Sequence, residues 1–129
     1  MSDVINVSVP LIAGGTAALG TVYKLGFKVP TDANGGGITV LAAGVASPAA
    51  VASGSAPLYE VVTLSSSSVV SGTIGTVAAA AYTAGTVREM PITDSWADGG
   101  EFVAFKELIS AVNANQLYLT GYVQYKMGR

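Results

Sequence analysis

The sequence predicts an all-β protein: a single-domain antiparallel β-sandwich or jelly-roll-like barrel with long small-residue loops. Three observations predict it. Several segments alternate apolar and polar residues with period two, the signature of strands with one buried face. Short strands recur at intervals separated by Gly, Pro, Asn and Ser turns, and no βαβ alternation is visible. Small residues dominate a chain of 129 residues with 16 Gly but only three Phe, one Trp and six Tyr, which suits thin sheets better than a thick helical core.

Val4–Val9 alternates, with Ile5, Val7 and Val9 opposite Val4, Asn6 and Ser8, and Pro10 is expected to stop regular pairing. Residues 1–20 are thus either an edge strand of the domain or an extended arm that packs on a neighbour, ahead of a sandwich over 21–129. The cleanest strand is 21–29, which places Tyr23, Leu25, Phe27 and Val29 on a core face and Val22, Lys24, Gly26 and Lys28 on the other. Pro30 and Asp32-Ala33-Asn34-Gly35-Gly36-Gly37 form a turn, since Asn-Gly readily adopts positive φ. Ile38–Leu41 resumes extended chain. Residues 42–57 are nearly low-complexity and predict a long surface loop with weak strand character.

Leu58–Leu64 is a Val-rich strand and Thr86–Ile92 another, while Ala78–Ala81 suits one helical turn. Gly-Thr-Val recurs at 20–22 and 85–87, and Gly72–Val77 echoes it; without a regular period this is local strand-start chemistry. In 101–112, Phe102, Phe105, Leu108 or Ile109, and Val112 fall at helical spacing, but Gly99-Gly100 and the neighbouring strands favour a strand over 101–106. Leu117–Met127 is the longest strand. It sets Leu117, Leu119, Gly121, Val123, Tyr125 and Met127 against Tyr118, Thr120, Tyr122, Gln124 and Lys126.

The charge pattern narrows function. Lys and Arg number 6, Asp and Glu 8, and residues 4–23, 33–59 and 61–87 carry no charge at all. A lone soluble domain usually keeps roughly 25% charged residues, so this surface suits one that becomes covered. With net charge −2 and scattered cations there is no basic field for nucleic acid. The uncharged stretches are broken by Gly35-Gly36-Gly37, Pro48, Pro57, Ser65–Ser68, Gly72 and Gly75, which argues against membrane-spanning helices. Met-Ser-Asp-Val lacks the basic region of a secretory signal, so a cytosolic product is expected.

The chain contains no His and no Cys, which removes disulfides, thiolate metal sites and a cysteine nucleophile. No catalytic residue, metal ligand or cofactor is expected. Asp94, Asp98, Glu101 and Glu107 are the one concentration of carboxylates, but a calcium loop needs oxygens at its third and fifth positions, and with Asp94 as the first position Trp96 stands at the third. A solvated turn is expected there. Ser65–Ser68 has no neighbouring base to activate a hydroxyl, and the glycines at 35–37 lack the phosphate-loop pattern.

Trp96, Phe102, Phe105, Tyr118, Tyr122 and Tyr125 gather most of the aromatics in the last third of the chain. Core packing, a subunit contact and a sugar-stacking platform are the three readings. Tyr and Trp are enriched at interfaces, so Trp96, Tyr118, Tyr122 and Tyr125 are the interface candidates.

The layout resembles the small all-β decoration, or cement, proteins that coat the capsids of tailed bacteriophages. It does so through Gly26-Phe27-Lys28-Val29-Pro30, a small-residue middle, Ala84-Gly85-Thr86-Val87, Gly99-Gly100-Glu101-Phe102-Val103 and the closing Leu117-Tyr118-Leu119-Thr120-Gly121-Tyr122. The resemblance implies a non-enzymatic subunit made in the host cytoplasm. It further implies a homotrimer on the capsid surface of the virion, bound to the major capsid protein. Tail-tube and fibre subunits share the composition, and a carbohydrate-binding or fibre module is the alternative. A hydrolase using the carboxylates of 94–107 ranks last.

Overall fold

The computed structural model describes residues 4–14, 20–31, 36–50, 58–67, 69–77, 82–109 and 116–128. They form nine strands: β1 (Val4–Gly14), β2 (Gly20–Lys28), β3 (Gly37–Ala46), β4 (Leu58–Leu64), β5 (Val70–Val77), β6 (Val87–Glu89), β7 (Trp96–Asp98), β8 (Phe102–Ile109) and β9 (Gln116–Met127). One sheet runs β1-β9-β3-β6, with β7 also paired to β3, and the other runs β2-β8-β4-β5. Every pairing is antiparallel.

With β7 set aside, the remaining eight strands pair from the outside inwards: β1 with β9, β2 with β8, β3 with β6 and β4 with β5. That is one long hairpin folded over on itself. The fold closes where β9 meets β3 in one sheet and β8 meets β4 in the other. The domain is therefore an antiparallel β-sandwich with the strand order of a jelly roll. β7 is an addition that completes the far edge of β3: β6 covers Gly44–Ala46 and β7 covers Gly37–Thr39. Between them Met90 N–H donates to the Ala43 carbonyl (2.8 Å) and Val40 N–H to the Ser95 carbonyl (2.6 Å).

Alternation along each strand fills the space between the sheets. Val9, Leu11, Ile38, Val40, Ala43, Val45, Leu119, Val123 and Tyr125 from one sheet meet Val29, Tyr59, Val61, Ile74, Val77, Val103 and Phe105 from the other. Alternate residues of β4 and β8 build a second cluster, Val62, Leu64 and Ala104 with Phe102 packed against it. Lys106 and Glu60, in the same alternation, form an ion pair at 3.5 Å.

Three aromatic rings lie over glycines where no Cβ would fit. A methyl on Gly121 would stand 2.6 Å from the buried Phe105 ring, one on Gly44 2.6 Å from its cross-strand partner Tyr122, and one on Gly37 2.1 Å from Trp96. Glycine in a strand interior usually weakens it for want of a side chain to pack; here a neighbouring ring supplies that packing.

The structure departs from the sequence-based expectations in four places. Pro10 does not end β1, which stays in register with β9 from Val4↔Lys126 to Gly14↔Gln116; β1 is an edge strand, and an edge tolerates a missing N–H on its outer side. Tyr23 does not join the core face of β2. Gly26 stands unpaired between Leu25↔Ala104 and Phe27↔Val103, and this bulge flips the alternation, so that Val29 is buried and Phe27 packs on the core while Tyr23 is 43% exposed. The predicted surface loop at 42–57 begins later than expected, because β3 runs on to Ala46, and residues 51–57 lie outside the described residues. β5 and β7 are strands that the alternation does not predict, and the expected strand 86–92 is regular only at 87–89. The helical turn expected at Ala78–Ala81 lies outside the described residues.

Candidate interaction face

The outer face of the β1-β9-β3-β6 sheet is built from the residues that alternate with the core set. Register places Val87, Ala46, Thr120 and Pro10 in one row across four strands, and Glu89, Gly44, Tyr122 and Ser8 in the next. Ala42, Gln124 and Asn6 form a third row, and Thr39, Lys126 and Val4 a fourth. Neutral side chains make up almost the whole of these rows, and many of them are small. Its two charged members in these rows, Glu89 and Lys126, lie two rows apart.

Tyr118 and Tyr122 both belong to this face and behave differently. Tyr118 is 60% exposed. Tyr122 lies down over Gly44 and its hydroxyl donates to Glu89 Oε1 (3.3 Å); partial burial, with the Glu89 charge beside it, raises its pKa. Gln124 Nε2 donates to Asn6 Oδ1 at 3.2 Å, tying β9 to β1 across the same surface. Tyr125 points the other way. It is 7% exposed and stacks on Phe27 with ring centroids 4.9 Å apart, so among the four interface candidates it serves the core.

Beside Tyr118 a groove of about 480 Å³ is lined by Pro10, Ala46, Ser47, Pro48, Gly85, Tyr118, Leu119 and Thr120. It is uncharged. Ser47 Oγ is committed within the wall, donating to the Ala49 carbonyl (2.5 Å). No sequence signal marks this groove, because four stretches far apart in the chain line it and only the Tyr118 ring stands out beforehand.

Trp96 lies away from this groove, at the β7 end of the sheet, and the acidic turn serves it. Asp94 Oδ1 accepts from the Trp96 backbone N–H (3.2 Å) and Asp98 Oδ1 from the indole Nε1–H (2.7 Å). Glu101 Oε1 accepts from the Asp98 N–H (2.9 Å), and its other oxygen from the Ser71 hydroxyl, pinning β5 to the turn. These carboxylates are arranged as hydrogen-bond acceptors for neighbouring donors. Glu107, close to them in sequence, is fully buried on β8, where it accepts from the Tyr59 hydroxyl.

Among the described residues no group of three or more His, Cys, Asp or Glu side chains is placed to hold a metal ion. The features that offer contact on this side of the sandwich are an almost uncharged sheet face, the exposed Tyr118 and a neutral groove. No family model, curated protein or solved structure matches this chain.

Proposed function

We propose that the chain is a structural subunit of a virion, a decoration or cement protein that binds the assembled capsid surface and adds contacts between neighbouring capsomers. The observation that carries this reading is the broad outer sheet face, with Val4, Asn6, Ser8, Pro10, Ala46, Val87, Tyr118 and Thr120 presenting almost no charge. A protein that kept such a face in water would lack the charges that hold soluble domains apart; a protein that covers it against a partner needs none. The jelly-roll order adds weight, since that architecture builds viral capsid and lectin domains, although a fold by itself hosts many functions.

The mechanism is mass action. A subunit that binds only the assembled shell stabilises it by RT ln(1 + [L]/Kd), about 2.7 kcal/mol at a hundredfold excess over Kd. Co-sedimentation with capsids of the cognate phage stripped of decoration tests it. Binding to assembled capsids and not to free capsid subunits is expected, and with so few charges it should weaken little between low and high salt. Failure to bind at either salt, or loss of binding through salt alone, removes the reading.

The second reading is a carbohydrate-binding or fibre module, which the neutral groove beside the exposed Tyr118 ring favours. It predicts binding on a glycan array that is lost in Tyr118→Ala. The capsid reading predicts none.

A further inference from the structure

The sandwich edges are not alike. β6 and β7 are three residues each, β5 is broken by two register shifts against β4, and β2 carries Lys24, Lys28 and the Gly26 bulge. Short strands, bulges and lysines are the devices by which soluble proteins keep sheet edges from pairing with other chains. β1 has few of them. It runs eleven residues, stays in unbroken register with β9, carries no charge and, among the described residues, pairs with no strand on its other side.

Its one blunting device is Pro10, and Pro10 fixes the geometry. Lacking an N–H, a proline fits a ladder where its nitrogen faces away from the neighbouring strand. Residues of the same parity, Val4, Asn6 and Ser8, then also aim their N–H and C=O groups outwards. The side-chain contact between Asn6 and Gln124 agrees with this, because opposite residues that do not exchange backbone hydrogen bonds stand closer together.

We infer that Val4–Ser8 pairs antiparallel with the same segment of a second copy of this chain, with Asn6 on the two-fold axis. The outer strands then become one continuous sheet across the dimer. In this register Val4 faces Ser8 of the partner subunit, Ile5 faces Val7 of the partner subunit, and Asn6 faces itself. All three outward-directed residues of the segment find backbone partners, and Pro10 falls beyond the paired stretch. The segment is self-complementary. It brings no like charges together, and it covers Val4 and Ile5, which are 51% and 37% exposed in the single chain. A register symmetric about one residue is what an isologous two-fold contact requires. The dimer is independent of the capsid reading, and it differs from the trimer that the phage resemblance implies.

The chain has no cysteine, so Asn6→Cys introduces a single thiol on the axis. Opposite residues in a hydrogen-bonded antiparallel pair lie about 5.5 Å apart at Cα, within the span of a disulfide. Mild oxidation should give a covalent dimer on a non-reducing gel, whereas Thr120→Cys, on the same face but one strand inwards, should stay monomeric on that gel. Light scattering at micromolar concentration should give twice the chain mass of 12.9 kDa. Asn6→Lys, which sets two ammonium groups opposite each other, should weaken association about tenfold while circular dichroism still reports the folded sheet. A monomer or a trimer by light scattering, or equal cross-linking of the two cysteine variants, overturns the inference. Capsid binding by a chain that stays monomeric would overturn it and leave the proposed function standing.

Discussion

Tyr59 and Glu107 face each other in register across β4 and β8, both fully buried, with the phenol donating to the carboxylate. Burial pushes the Tyr59 pKa far above its ordinary value, and the hydrogen bond to Glu107 and its charge push the same way. A tyrosine held neutral by the fold contributes stability that is present below the unfolded pKa of about 10 and is lost as pH rises above it. Denaturant midpoints should therefore hold up to about pH 10 and then fall, Tyr59 contributing about 1.4 kcal/mol per pH unit. Tyr59→Phe should make that alkaline limb shallower. At neutral pH the same change removes a donor from a buried carboxylate and should cost about 1–3 kcal/mol. An alkaline limb of unchanged slope would show that Tyr59 ionises in the native state. Gly121 matters through what it lacks. Its missing Cβ is where the Phe105 ring sits, so Gly121→Ala overpacks the core and should cost about 1–3 kcal/mol in the same denaturation assay.

The sequence of β2 reveals only part of its structure. Its alternation marks a strand, and Phe27 and Val29 do pack inwards, but residue type alone cannot reveal the bulge at Gly26, and Tyr23 is amphipathic enough to suit either face. Phe27→Ala should cost about 3 kcal/mol through loss of its stack on Tyr125, whereas the exposed Lys28→Ala should cost under about 0.5 kcal/mol. Equal costs would put the bulge elsewhere. The strand over 101–106 and the long C-terminal strand were legible because their apolar residues are large. The end of β3 was not, since Ala42–Ala46 has neither branched nor aromatic side chains. Those residues are extended because β9 and β6 flank them and Tyr122 fills the space over Gly44. Of the aromatic candidates, only geometry could sort Tyr118 at the surface from Tyr125 in the core, although their opposite parity on β9 already separated them.

For the whole molecule the outside-in pairing sets the order of assembly. Among the described residues, β4 and β5 are the only paired strands that follow one another directly in the chain; β1 must find β9, and β2 must find β8, after nearly everything between them has been placed. Loop closure costs entropy before such distant contacts repay it, so refolding in milliseconds to seconds is expected. The nucleus should include the β4–β5 hairpin and β8, which docks on it. Val61, fully buried on β4 and paired to both β5 and β8, belongs to that nucleus, and Leu11, fully buried on β1, does not. Val61→Ala should therefore slow folding, with φ about 0.5–0.8. Leu11→Ala, costing about 2–5 kcal/mol, should act mainly by speeding unfolding. Stopped-flow chevrons on the two variants decide it. If Leu11→Ala instead slows folding and leaves unfolding unchanged, the two ends of the chain meet first, and the jelly roll closes from β1 and β9 inwards rather than rolling up from its central hairpin.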